Sequence, residues 1–80
     1  MNSPYHPVSI AQCVTVHLDN YLRDLENTDP CGIYEMVLQQ VEKPLLKTVL
    51  DYCDGNQTRA AAMLGINRST LRKKIALYDL

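Results

Sequence analysis

Basic side chains that could bind a polyanion are concentrated towards the C-terminal end of this chain of 80 residues. The stretch from Gly55 to Lys74 reads GNQTRAAAMLGINRSTLRKK and holds five of the eight basic residues and no acidic residue. Residues 1–54 carry three basic and eight acidic residues, whereas residues 55–80 carry five basic and one acidic residue. This asymmetry, which the net charge of −1 conceals, predicts one face for a polyanion and another for a different partner.

The spacing of apolar residues predicts that the elements positioning these side chains are all helices. Apolar residues recur every three or four positions from about Val8 to Leu25 and from about Ile33 to Cys53. Pro44 falls inside the second helix, and we expect a kink there because the apolar stripe stays in phase on both sides. Gly55 is suited to the left-handed C′ position that ends this helix.

Short polar segments predict where the two long helices begin. Ser9, followed three positions later by Gln12, has the pattern of a capping box for the first helix. Asp29 followed by Pro30 predicts an N-cap with proline in the first turn of the second helix. Residues 1–7 contain two prolines and no periodicity, so we expect a flexible arm.

The remaining chain has the pattern of a helix-turn-helix unit. Asn56 can cap a helix over about Gln57–Leu64, and the connection Gly65-Ile66-Asn67 is a tight turn in which Asn67 can cap a last helix over about Arg68–Tyr78. We therefore divide the single domain into the arm, two long helices over residues 8–54 and the helix-turn-helix over residues 55–80.

A helical projection gives the last helix an apolar side and a cationic side. Leu71, Ile75 and Tyr78 fall together on the predicted buried side. We assign Tyr78 to the core, with base stacking as the alternative. The opposite side carries the polar and basic side chains Ser69, Thr70, Arg72 and Lys73, and Arg68 and Lys74 flank the boundary between the two sides.

The cationic side fits the major groove of B-DNA, because this groove admits one helix and is lined by phosphates. Arg68 or Arg72 is suited to a forked contact with guanine O6 and N7. Arg59 could reach phosphate or pair with an acidic neighbour. The predicted DNA contacts are Asn56, Thr58, Asn67, Arg68, Thr70, Arg72, Lys73 and Lys74.

Other kinds of site have weak sequence support. Cys13 and His17 have a spacing that could share a metal, but no second pair of ligands follows. Asp51 and Asp54 lack a pocket or nucleophile and are expected to be surface charges. We therefore expect no enzyme, cofactor, metal or small-molecule ligand.

The odd cysteine count without a CxxC pair predicts reduced thiols in a cytosolic protein. No apolar run is long enough to span a membrane.

The segment YEMVLQQVEKPLL, followed by GNQTRAAAMLGINRSTLRKK, closely resembles the Fis family, the bacterial nucleoid-associated factor for inversion stimulation. The resemblance covers about Ile33–Tyr78. It implies a homodimer in which the two N-terminal helices of each subunit interlock into a four-helix core. In such a dimer the two recognition helices lie closer together than one turn of DNA, so the resemblance implies binding to loosely defined sites in bent DNA. It also implies roles in chromosome compaction, transcription control and recombination. The same eight residues carry over by motif as DNA contacts.

The chain departs from the family pattern in two places. Only seven to nine residues precede the first helix, too few for the family's mobile β-hairpin, so we do not expect stimulation of a DNA invertase. Ala76 and Leu77 stand where the family can carry two lysines, which predicts a shallower salt dependence of binding.

A second hypothesis for the function of this chain is a protein-interaction module whose acidic helices dock RNA polymerase or another partner.

Overall fold

The structure, a computed structural model, describes residues 9–25 and 29–80. Over those residues it contains no strand and has four helices in the order α1 (Ile10–Asp24), α2 (Ile33–Tyr52), α3 (Gln57–Leu64) and α4 (Arg68–Tyr78). The all-α prediction is confirmed over this part of the chain. The predicted arm and part of the turn before α2 lie outside the described residues. None of the four helices is long and apolar enough to cross a bilayer.

The first helix begins with the predicted capping box. Ser9 Oγ accepts from the Gln12 backbone N–H at 3.1 Å, and Gln12 Oε1 accepts from the Ser9 N–H at the same distance. These reciprocal bonds satisfy two backbone donors at the helix start. No residue of α1 is buried, and Ile10 and Val16 are exposed.

The second helix begins at Ile33, as its apolar spacing predicted, but without the cap that the sequence predicted. The prediction that Asp29 caps it with Pro30 in the first turn is wrong, because α2 starts at Ile33. Gly32 has φ +74°, and this left-handed backbone ends the helical geometry on its N-terminal side. The first backbone bond of the helix runs from Met36 N–H to Gly32 O at 3.1 Å.

The C-terminal end of α2 is a Schellman turn, shifted by one residue from the prediction. Asp54, with φ +54°, occupies the left-handed C′ position, and Gly55, with φ +81°, follows it. Gly55 N–H bonds to Leu50 O at 2.9 Å and Asp54 N–H to Asp51 O at 3.1 Å, the two bonds of this motif. The helix continues through Pro44.

The chain divides into two compact units between Val37 and Leu38. The second unit contains most of α2 together with α3 and α4, and its core cluster consists of Leu46, Cys53, Ala60, Ala61 and Leu71. Leu71 of α4 and Ala60 of α3 are wholly buried in this cluster. The small side chain of Ala60 leaves room for the close packing of Leu71.

The apolar stripe of α2 separates into two faces within this second unit. Leu46 is 2% exposed and belongs to the core cluster, with Val49 and Leu50 packed against it. Leu45, the next residue to Leu46 along the helix, is 48% exposed, and Tyr52 is 64% exposed. One side of α2 therefore supports α3 and α4, while the other remains apolar and accessible.

Candidate nucleic-acid interface

The turn between α3 and α4 has the geometry that its sequence predicted. Gly65 has φ +75°, and its N–H bonds to Ala61 O at 2.9 Å and to Ala62 O at 3.2 Å. Ile66 N–H bonds to Ala61 O at 3.1 Å and completes the Schellman pattern. This closed turn fixes the direction in which α4 leaves α3.

Two asparagines cap the helices and thereby orient their own side-chain amides. Asn56 Oδ1 accepts from the Arg59 backbone N–H at 3.1 Å, as predicted for the cap of α3. Asn67 Oδ1 accepts from Ser69 N–H at 2.8 Å and from Ser69 Oγ–H at 2.7 Å. Because each oxygen is engaged by its own helix, the exposed Nδ2 groups are the donors left to meet an external acceptor.

The cationic side of α4 points to solvent, as the helical projection predicted. Arg68, Arg72 and Lys73 are exposed and form no ion pair with any residue in the described part of the chain. Leu71, on the opposite side, is fully buried. The positive charge of these three side chains is therefore uncompensated, which is the electrostatic requirement for binding a polyanion.

Lys74 differs from the other basic residues of α4 because it forms an ion pair within the molecule. Its Nζ lies 2.9 Å from Glu42 Oε2 of α2, with the lysine and glutamate side chains 30% and 17% exposed. The prediction that Lys74 contacts DNA stays a prediction. The structure adds a partner for Lys74 that the sequence analysis did not identify.

Glu42 also accepts a hydrogen bond from the last turn of α4. The Tyr78 hydroxyl donates to Glu42 Oε1 at 2.6 Å. The bond from Tyr78 and, next, the bond and charge of Lys74 lower the pKa of Glu42 below its ordinary value of 4.5, and they outweigh the opposing effect of burial. Tyr78 packs against the core cluster, which agrees with the assignment of its ring to the core.

Arg59 forms no ion pair with an acidic residue in the described part of the chain, and its contact with phosphate stays a prediction. Its guanidinium carbon lies 5.3 Å from the centroid of the Tyr52 ring, a cation–π contact between α3 and the end of α2. This contact joins the first turn of the helix-turn-helix unit to the helix that supports it.

Comparison with known proteins assigns this arrangement to a family. A sequence model described as "Bacterial regulatory protein, Fis family" matches residues 37–78, more than half of the chain. The chain belongs to the Fis family. It is 52% identical over 77 residues to a "Putative Fis-like DNA-binding protein" of Neisseria meningitidis, covering 96% of this chain and 98% of that protein.

Two further relatives extend the match to other bacteria. A protein of the same description from Ralstonia nicotianae is 49% identical over 71 residues, which cover 89% of this chain and 92% of that protein. A "DNA-binding protein Fis" of Glaesserella parasuis is 56% identical over 61 residues, covering 76% of this chain and 62% of that protein. The resemblance to the Fis family stated from the motifs is confirmed.

Within this Fis-family chain, side chains that the sequence analysis weighed for other kinds of site make the following contacts. Asp51 carries an exposed ion pair to Lys47 at 3.2 Å. No group of three or more His, Cys, Asp or Glu side chains in the described residues could hold a metal ion. Buried Cys53 directs its Sγ–H at Met63 Sδ, 3.5 Å away, and packs in the core.

Glu42 is the residue at this interface that sequence reasoning missed. A local signal existed, because Glu42 lies four positions after Leu38 and four before Leu46 and so interrupts an apolar row of α2. An acidic residue in such a row needs a partner. Its identity could not be read from spacing, because Lys74 and Tyr78 belong to another helix.

Proposed function

We propose that this Fis-family chain is a homodimeric, sequence-tolerant DNA-binding and DNA-bending protein that organises the bacterial nucleoid and regulates transcription. The observation that carries the proposal is the uncompensated cationic side of α4, formed by Arg68, Arg72 and Lys73 opposite buried Leu71. A helix with this charge distribution, held by a closed turn against a supporting helix, suits insertion into the major groove.

Each polar residue of the interface has chemistry suited to a part of the duplex. Arg68, in the first turn of α4, and Arg72 one turn later can each fork onto guanine O6 and N7. The ammonium group of Lys73 suits a phosphate. The neutral donors suited to phosphate oxygens lie at the starts of α3 and α4: Asn56, Thr58, Asn67 and Thr70.

Dimerisation is supported by apolar surface that a chain of this size rarely leaves exposed. On α2, Leu45 and Tyr52 are accessible although the neighbouring side of the helix is packed. On α1, Ile10, Val16 and Leu22 are exposed by 71%, 56% and 43%. A second copy of the chain would bury such surfaces, which a small single core cannot cover.

DNA bending follows from the dimer rather than from one subunit. In the Fis family pattern, the two recognition helices lie closer together than one turn of DNA, so both reach major grooves only on curved DNA. Selection among sites then depends partly on how easily the central base pairs deform, which makes binding tolerant of sequence. Energy transfer between dyes at the two ends of a short duplex measures this bend.

The alternative is a module that docks RNA polymerase or another protein through the acidic helices. Two of their acidic side chains are compensated locally, Asp19 by Arg23 at 3.2 Å and Asp51 by Lys47 at 3.2 Å. In contrast, the cations on the outer side of α4 lack partners among the described residues. Charge complementarity therefore favours a polyanion at α4 over a basic partner at α1 and α2.

Replacing Arg68 by alanine separates these two functions. Fluorescence anisotropy with a labelled duplex at fixed salt should show roughly fivefold or greater weakening, because a forked arginine–guanine contact contributes about 1–3 kcal/mol. Arg23→Ala, which removes one positive charge from exposed α1, is the matched control and should bind DNA as the wild type does. Absence of DNA binding by the wild type, or equal weakening by both variants, would contradict the proposal.

A further inference from the structure

The ion pair between Lys74 and Glu42 sets one cation of the recognition helix apart from the rest. Lys74 Nζ is 2.9 Å from Glu42 Oε2, and both side chains are less than one-third exposed. Lys73, the adjacent residue, is exposed and has no ion pair among the described residues. Lys73 and Lys74 therefore have different electrostatic surroundings, although they are neighbours in the chain and have identical side chains.

Glu42 binds α4 at two points with its two oxygens. Oε2 faces Lys74, and Oε1 accepts from the Tyr78 hydroxyl at 2.6 Å. Lys74 and Tyr78 are four positions apart and so occupy one edge of α4, beside Ile75, which packs on the core. A single carboxylate of α2 thereby fixes both the rotation of α4 about its axis and its position along α2.

A phosphate could bind Lys74 only by displacing this arrangement. If the ammonium group left Glu42, a partly buried carboxylate would remain with one bond fewer and would face a polyanion. Neither change is favourable, whereas Lys73 can meet phosphate without breaking any ion pair. The positive charge of Lys74 is thus already compensated by Glu42 within the molecule.

We propose that Lys74 is a positioning residue that holds the recognition helix on α2 through Glu42, and that it makes no phosphate contact in the DNA complex. This inference rests on the DNA binding proposed for α4. It assigns Glu42, an acidic residue of a DNA-binding protein, a role in maintaining affinity. Tyr78 supports the same role through the second oxygen of the carboxylate.

The salt dependence of DNA binding tests this assignment directly. The slope of log affinity against log salt concentration should become shallower by about 0.9 for each phosphate that the protein no longer neutralises. In the proposed dimer Lys73→Ala removes two such contacts, one from each subunit, so we expect a decrease of about 1.8. We expect no change for Lys74→Met, which keeps the alkyl stem and removes the charge. Lys74→Met should instead weaken binding by a similar factor, roughly three- to tenfold, at every salt concentration.

Glu42→Gln supplies a test that does not depend on the folding of the lysine variant. Simple electrostatics predicts tighter binding when a negative charge is removed, whereas loss of positioning predicts weaker binding with an unchanged slope. The double variant of Glu42→Gln and Lys74→Met should lose no more affinity than the weaker-binding single variant. Lys74→Arg, which keeps the ion pair with Glu42, should bind DNA with the affinity of the wild type.

All affinities are measured where circular dichroism shows each variant to be fully folded, so that lower stability alone cannot change them. A shallower slope for Lys74→Met, equal to that of Lys73→Ala, would overturn the inference. Tighter binding by Glu42→Gln would also overturn it. A wild-type protein that bound no DNA would instead refute the proposed function.

Discussion

The Tyr78 hydroxyl donates a 2.6 Å hydrogen bond to Glu42 Oε1 across 36 positions of the chain. This bond joins the last turn of α4 to the middle of α2, and the ammonium group of Lys74 binds the other carboxylate oxygen. Because both partners favour the ionised carboxylate, the pKa of Glu42 is lower in the folded protein than its ordinary value of 4.5.

The first prediction follows from the sign of this shift. Glu42 binds a proton more readily in the unfolded chain, so its stabilising contribution is complete above a pH of about 4.5 and is lost as the pH falls through the lower, folded pKa. Urea unfolding at pH values between 7 and 3 should therefore show a smaller loss of stability for Glu42→Gln than for wild type. Glu35→Gln, which alters an exposed carboxylate of the same helix, should follow the wild-type curve, and identical curves for all three proteins would contradict the assignment.

A second prediction concerns the side chain that seats α4 in the core. Leu71 is fully buried against α3, so Leu71→Ala should lower the free energy of unfolding by about 3 kcal/mol through reduced burial and an incompletely filled cavity. Leu77→Ala removes the same atoms at a position of α4 that is 69% exposed, and it should change stability by less than about 0.5 kcal/mol. Denaturant titration at one protein concentration checks both, and comparable losses would show that Leu71 does not anchor α4.

The left-handed turn at Gly65 gives a third prediction. A methyl group added there meets no atom within 4 Å, but φ is +75°, so the cost of Gly65→Ala is conformational rather than a clash. We expect about 1–2 kcal/mol of destabilisation. Gly65→Asn should cost less, because asparagine tolerates this backbone region better than alanine. Thermal unfolding compares the two, and a neutral alanine variant would refute the requirement for glycine.

The fourth prediction tests the accessible apolar side of α2. Leu45→Glu should convert a dimer to monomer in sedimentation equilibrium, because it places a charge where the proposed partner subunit packs. Gln40→Glu adds the same charge at an exposed polar position of α2 and should leave the dimer intact. Val49 is a poorer probe of the dimer because it packs against the core of its own chain. A wild-type chain that remained monomeric would exclude the proposed dimer.

Much of the local structure could be predicted because it depends on interactions within one helical turn. The capping box of Ser9 and Gln12, the caps Asn56 and Asn67, and the left-handed Gly65 all involve bonds between residues at most five positions apart. Such bonds form wherever the local pattern occurs. The cap assigned to Asp29 was wrong because the left-handed Gly32 separates the Asp-Pro pattern from α2, which starts at Ile33 as the apolar spacing predicted.

The sequence by itself determined the four helices, the helix-turn-helix and the outward side of α4, because periodicity and caps are properties of neighbouring residues. Only the tertiary structure decided which charges on that helix are compensated. Lys73 and Lys74 are adjacent and chemically identical, yet of the two only Lys74 meets Glu42. That pairing depends on how α4 packs on α2, and side chains far apart in the chain come within hydrogen-bonding distance only when the core between them has formed.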